Sequence, residues 1–134
     1  MFVNTDSKVI WKNGSFEKWE NASVHLLSHT MHYGTGVFEG VRAYMTDEGP
    51  AIFRLQDHTN RLFDAASKLS VEIPYSRDEL NKVQKDIFSM NNLEEGYLRP
   101  IVYLGSESLG IRATELSVTV AVAAWEWPSY MSPE

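Results

Sequence analysis

The chain has 134 residues, 43% hydrophobic and 22% charged, with a formal net charge of −6. That length suits one domain with a real core, and the composition is ordinary for a globular protein. The acidic balance argues against a nonspecific nucleic-acid or anionic-membrane surface, which needs a basic footprint. The absence of cysteine excludes a disulfide, a thiolate nucleophile and a Cys–zinc site, and it fits a reducing cytoplasm. No apolar run approaches membrane-spanning length, and the opening "MFVNTDSKVI" lacks a basic-then-apolar signal pattern.

In chain order, "KVIWKNGSFEKWE" carries Asn13-Gly14 between β-rich runs, a strong two-residue hairpin signal. "VFEGVRAYM" and "AIFRL" read as strands around a second turn, "TDEGP". "QDHTNRLFDAASKL" switches to helical spacing, with Leu62, Ala65, Ala66 and Leu69 on one face. "VEIPYS" breaks it. Ser76, with Glu79 three residues on, predicts a capped second helix with Leu80, Val83, Ile87 and Met90 inward. "YLRPIVYLG" and "LSVTVAVAAWEW" read as long strands. The run from Val118 to Ala124 shows so little polar alternation that burial on both faces is expected. The order of elements predicts an α+β fold, an antiparallel β-sheet with two helices packed on one side. At the end, Ser132-Pro133-Glu134 has the pattern of an N-cap, a first-turn proline and a first-turn acid. A further helix, and so a longer protein, is expected.

The glycines of "MHYGTGVFEG" raise a phosphate-loop question. Their spacing, G-x-G-x-x-x-G, is one residue longer than the dinucleotide fingerprint, and the following "VRAYM" reads as strand where a helix is required. The dinucleotide reading is rejected. Arg61, early in the first helix, is either a solvated partner of Asp57 at i, i+4 or an anion clamp. Tyr97 and Arg99 of "YLRP" share a strand face, which either meets solvent or holds a carboxylate ligand. Trp125, Trp127 and Tyr130 either close a core or line an apolar pocket. His25, His29, His32 and His58 have no convincing metal-ligand spacing, so no metal is expected. Glu94-Glu95 reads as a solvated turn, and no G-x-S-x-G elbow exists.

"KNGSF", "HYGTGVFEGVRAY", "IFRLQDHTNRLFDAASKL", "YLRPIVY" and "WEWPSY", in this order over nearly the whole chain, closely resemble branched-chain amino acid aminotransferases. These are pyridoxal 5'-phosphate enzymes of fold type IV. "YLRP" favours them over D-amino acid aminotransferases and aminodeoxychorismate lyases, which share the glycine motif and the helix arginine. The resemblance implies that residues 1–124 form an N-terminal small domain and that 125–134 begin an interdomain loop. It implies that Arg61 holds the cofactor phosphate. Phe38, Gly40, Tyr97, Arg99, Trp127 and Tyr130 would bind substrate, with Arg99 suited to the side-chain carboxylate of glutamate. Tyr33 and Ile111 would reach a neighbouring subunit's pocket in a homo-oligomer, at least a dimer. Partners would be branched-chain amino acids, glutamate and 2-oxo acids, in the cytoplasm, with no nucleic acid and no membrane.

The lysine that forms the Schiff base in relatives lies beyond residue 134, in a second domain, and none of the lysines present matches its motif. The chain alone is therefore expected to be inactive and to bind the cofactor weakly or not at all. A non-catalytic binding or assembly domain is the rival from another class.

Overall fold

The computed structural model describes residues 8–106, 109 and 115–127. β1 (Val9–Lys12) and β2 (Ser15–Lys18) form the expected hairpin. Its turn residues Asn13 and Gly14 both have positive φ, +47° and +93°, as a tight turn matched to strand twist demands. The Asn13 side chain accepts the Val120 N–H at 2.9 Å and so ties the turn to the last strand.

A 3₁₀ turn, Trp19–Asn21, follows. A short helix not read from the sequence, α1 (His29–Tyr33), ends at Gly34 in the left-handed conformation, φ 66°.

The segment read as one strand is two, β3 (Gly36–Phe38) and β4 (Val41–Thr46). Both pair with β6 (Gly96–Leu104) in a single continuing register, Phe38 opposite Ile101 and Val41 opposite Leu98. The interruption at Glu39-Gly40 falls beside Pro100, which has no N–H to give to the ladder. The Glu39 N–H still donates to the Pro100 carbonyl at 3.0 Å. β4 turns back into β5 (Gly49–Ile52) through the second expected hairpin.

α2 (Leu55–Lys68) buries Leu55, Thr59, Leu62 and Ala66. Leu69, expected on this face, lies past the last helical residue and is 46% exposed. α3 (Arg77–Met90) has the complete capping box between Ser76 and Glu79. It buries Leu80, Gln84, Ile87 and Phe88, while Met90 is exposed. In both helices the inward stripe sits a fraction of a turn away from the purely apolar one, because polar residues complete it at the α2–α3 seam. There Thr59 donates to Asn81 Oδ1 at 2.5 Å, and Gln84 Nε2 donates to Thr59 Oγ1 at 3.2 Å.

β7 (Val118–Trp125) completes a seven-stranded antiparallel sheet of order β2-β1-β7-β6-β4-β5, with β3 on the same edge of β6 as β4. The core lies between the sheet and the helix pair, where Trp11, Val41, Leu62, Leu80, Ile87, Leu98, Val102 and Val122 are buried. β7 is not buried on both faces as expected. Val120, Val122 and Ala124 are buried on the helix side, but Ala121 and Ala123 on the other are half-buried. Small alanines make a one-sided strand read as uniformly apolar.

Candidate functional site

Side chains alternate along a strand. The β3–β4 line therefore sends Phe38, Gly40 and Arg42 to the face away from the helix pair. Val37, Glu39 and Val41 go to the helix side. Each set builds a cluster.

On the open face, Tyr97 packs against Trp125 and Trp127, with ring centroids 5.2 and 4.8 Å away. Arg99 donates through Nη2 to the Tyr97 hydroxyl at 3.1 Å. Its guanidinium lies 4.2 Å from the Phe38 ring centroid, a cation–π distance. A Cβ at residue 40 would stand 2.7 Å from Tyr97 Cζ, inside its van der Waals shell. Gly40 is thus a space requirement. Arg42 Nη2 donates to the Trp127 carbonyl at 3.3 Å and ties the segment after β7 to the sheet. The result is an aromatic wall around one cation. Arg99 Nε and Trp125 Nε1 are buried in it with no hydrogen-bond partner among the described residues. Arg99 makes no ion pair there either. Buried donors of this kind are expensive unless something accepts from them.

On the helix side, Glu39 is only 5% exposed. Its carboxylate accepts from Arg61 twice, Nε to Oε1 at 2.6 Å and Nη2 to Oε2 at 2.9 Å, and pairs with His58 Nδ1 at 2.9 Å. Burial alone pushes the Glu39 carboxyl up. The hydrogen bonds and charges of Arg61 and His58 together outweigh it and hold the carboxyl below its ordinary value. The same pairing raises Arg61. Arg61 does not pair with Asp57, because Asp57 is taken by Arg54 at 2.7 Å. The Arg61 side chain is 72% exposed, so two of its five N–H donors are engaged and the rest are open to solvent.

The structure thus brings Phe38, Gly40, Tyr97, Arg99 and Trp127 together. Arg61 belongs to the second cluster, joined to the first through the chain at Phe38–Glu39–Gly40. Tyr33 stands apart from both, donating to the Leu109 carbonyl at 3.0 Å and touching the rings of His29 and His32. Tyr130 and Ile111 lie outside the described residues. The lysines sit on or beside the first hairpin and on α2 and α3.

Glu39, His58 and Arg42 were missed in the sequence. The signal for Glu39 was there, since alternation places it in a buried stripe between Val37 and Val41, where a carboxylate needs a cation. His58 and Arg61, three apart on one helix face, were the available partners.

An antiparallel sheet, a helix pair on one face and an aromatic–arginine cluster on the other define an α+β domain with a one-sided ligand site. Residues 36–134 match the family model described as "Amino-transferase class IV", and the chain belongs to that family. It is 55% identical over 126 residues to the branched-chain-amino-acid aminotransferase of Pseudomonas aeruginosa, covering 94% of this chain and 41% of that protein. Identity to the protein of the same description from Escherichia coli K12 is 40% over 126 residues, covering 93% of this chain and 41% of the relative. Among solved structures, the E. coli branched-chain amino acid aminotransferase superposes with a TM-score of 0.89 at 38% identity, over 94% of this chain and 42% of that one. A second branched-chain amino acid aminotransferase, from the source abbreviated T.th. and solved with pyridoxamine 5'-phosphate, superposes with a TM-score of 0.90 at 42% identity, also over 94% and 42%. The chain therefore spans about two fifths of the length of the relatives it matches.

Proposed function

We propose that this chain is the N-terminal small domain of a pyridoxal-phosphate-dependent aminotransferase that moves an amino group between leucine, isoleucine or valine and 2-oxoglutarate. The observation that carries the reading is the Arg99 cluster, a single guanidinium with a buried, unpartnered Nε inside a wall of Phe38, Tyr97, Trp125 and Trp127. An aromatic wall accepts a branched aliphatic side chain by burying its surface. The guanidinium binds the second carboxylate of glutamate, which leucine lacks. One pocket then serves both partners of the exchange.

The residues present fit a phosphorylated cofactor. Arg61 keeps open donors on the exposed side of its fork, and a guanidinium matches phosphate oxygens two at a time. Pyridoxal 5'-phosphate, when bound, supplies the electron sink for negative charge at the amino acid's α-carbon. The work of this chain is to bind and to orient. Arg61 holds the phosphate. Phe38, Gly40, Tyr97 and Trp127 shape the substrate space, and Tyr130 extends it. Arg99 selects the dicarboxylic partner, and the aromatic rings exclude water, which strengthens the charge contact. Tyr33 and Ile111 supply part of a neighbouring subunit's pocket in a dimer. The reactive lysine belongs to the remaining length, and the assembled enzyme is cytoplasmic.

The test is turnover of leucine with 2-oxoglutarate by the full-length protein, followed as glutamate formation. Absence of turnover in protein shown to bind pyridoxal 5'-phosphate would refute the reading. The 134-residue chain with added cofactor is expected to show none.

A further inference from the structure

Glu39 sits at the break between β3 and β4, pointing to the helix side, while its neighbours Phe38 and Gly40 point to the open face. It is nearly fully buried, yet the arginine it holds is mostly exposed. An exposed arginine on a helix samples many rotamers, and an anion that binds it must first order it. Here the ordering is done in advance, since Nε and Nη2 are bound along one edge of the fork at 2.6 and 2.9 Å. The donors left over are those of Nη1 and the second hydrogen of Nη2, a pair that suits two oxygens of a phosphomonoester. His58 holds the carboxylate from another side, so the carboxylate itself cannot rotate away.

We propose that Glu39 is a positioning residue for Arg61, fixing its guanidinium so that the free edge of the fork is presented to the phosphate of a phosphorylated ligand. This rests on the reading of Arg61 as the phosphate-holding residue. The carboxylate also carries a charge that repels phosphate, so the two effects oppose each other. The repulsion acts across a guanidinium at an exposed site, where solvent and salt screen it. Order is the larger effect.

The experiment compares binding of pyridoxal 5'-phosphate and of pyridoxal, which lacks the phosphate, to the full-length protein by equilibrium dialysis. Four forms are used: wild type, Glu39→Gln, Arg61→Ala and the double variant. Glu39→Gln should weaken pyridoxal 5'-phosphate by about 3- to 12-fold, the cost of ordering one long side chain, and leave pyridoxal within about twofold. Adding Glu39→Gln to Arg61→Ala should change nothing further. Slowed motion of the Arg61 Nε–H in wild type, lost in Glu39→Gln by ¹⁵N relaxation, should accompany this.

Equal weakening of both ligands by Glu39→Gln would make Glu39 merely structural. Tighter pyridoxal 5'-phosphate would mean that repulsion dominates; either result overturns the proposal. If Arg61→Ala itself fails to discriminate the two ligands, the phosphate reading falls, and the proposal with it. If Arg61→Ala discriminates and Glu39→Gln does not, the positioning role alone falls. Should Glu39→Gln fail to fold, Glu39→Asp is read in the same way. Failure of both to fold assigns Glu39 to the fold and overturns the proposal.

Discussion

The Tyr97 ring lies where a side chain at residue 40 would begin, with Cζ 2.7 Å from the position of a Cβ there. Gly40 does not have positive φ. Its lack of a side chain, and not backbone freedom, lets Tyr97 lie flat across β4 to reach Trp127 and Arg99. Gly40→Ala must therefore move Tyr97 or the strand. Overpacking of this kind costs about 1–3 kcal/mol, expected as a lower urea midpoint with altered tryptophan fluorescence from Trp125 and Trp127. Tyr97→Ala in the same chain should recover most of the steric part. An unchanged midpoint for Gly40→Ala would show that the ring is free to leave.

Arg99 is held by Tyr97 and Phe38 but paired with no carboxylate among the described residues. A buried charge-assisted contact to a substrate carboxylate is worth roughly 2–4 kcal/mol. In the full-length enzyme, Arg99→Leu should lower kcat/KM for glutamate by about 30- to 1000-fold. Leucine should lose much less in its own half-reaction. Single-turnover kinetics on each half-reaction separate the two. Equal losses would mean that Arg99 holds something common to both substrates, such as the α-carboxylate.

The Glu39 carboxyl is held below its ordinary 4.5 in the folded chain. Between its folded value and 4.5, the unfolded chain binds more protons than the folded one. The stabilisation is therefore present above about 4.5 and is lost as pH falls through the lower folded value. Glu79, lowered by its hydrogen bonds with Ser76, acts in the same sense. Urea midpoints taken across this range should fall for wild type, and the gap between wild type and Glu39→Gln should close toward acid. A gap that stays constant with pH would show that the Glu39 charge contributes nothing to folding.

Ser76→Ala removes one half of the capping box, the bond from the Glu79 N–H at 3.1 Å. Loss of an N-cap of this kind costs about 1 kcal/mol. It should lower the unfolding midpoint without changing fluorescence from the distant tryptophan cluster. A fluorescence change would indicate that α3 and the open face are coupled.

Leu26, Met31 and Tyr33 are 70%, 62% and 50% exposed along one short segment. Exposed apolar surface of this kind marks contact with another protein surface, and here the expected partner is a second copy. Sedimentation at micromolar concentration should show more than monomer, and Met31→Glu should shift it toward monomer. A wild-type monomer across the concentration range would remove this segment as an interface.

The hairpins, both main helices and the antiparallel α+β class were legible because each is signalled locally. Asn13-Gly14 carries its own turn geometry, Ser76 and Glu79 cap each other across three residues, and helical spacing is read within one turn. The grouping of Tyr97 with Arg99 also followed from the two-residue strand period. The partner of Arg61 did not, because Glu39 is 22 residues away and only the return of α2 over β3 brings them together, leaving Asp57 to Arg54. Nor did the break at Glu39-Gly40, which is set by Pro100 on the neighbouring strand. The same holds for Gly40 itself. The residues printed beside it in the chain do not explain it; the ring of Tyr97, delivered by the pairing of β4 with β6, does. Short-range spacing carries the elements, whereas a buried charge pair and a close steric approach exist only once distant strands and helices share one space.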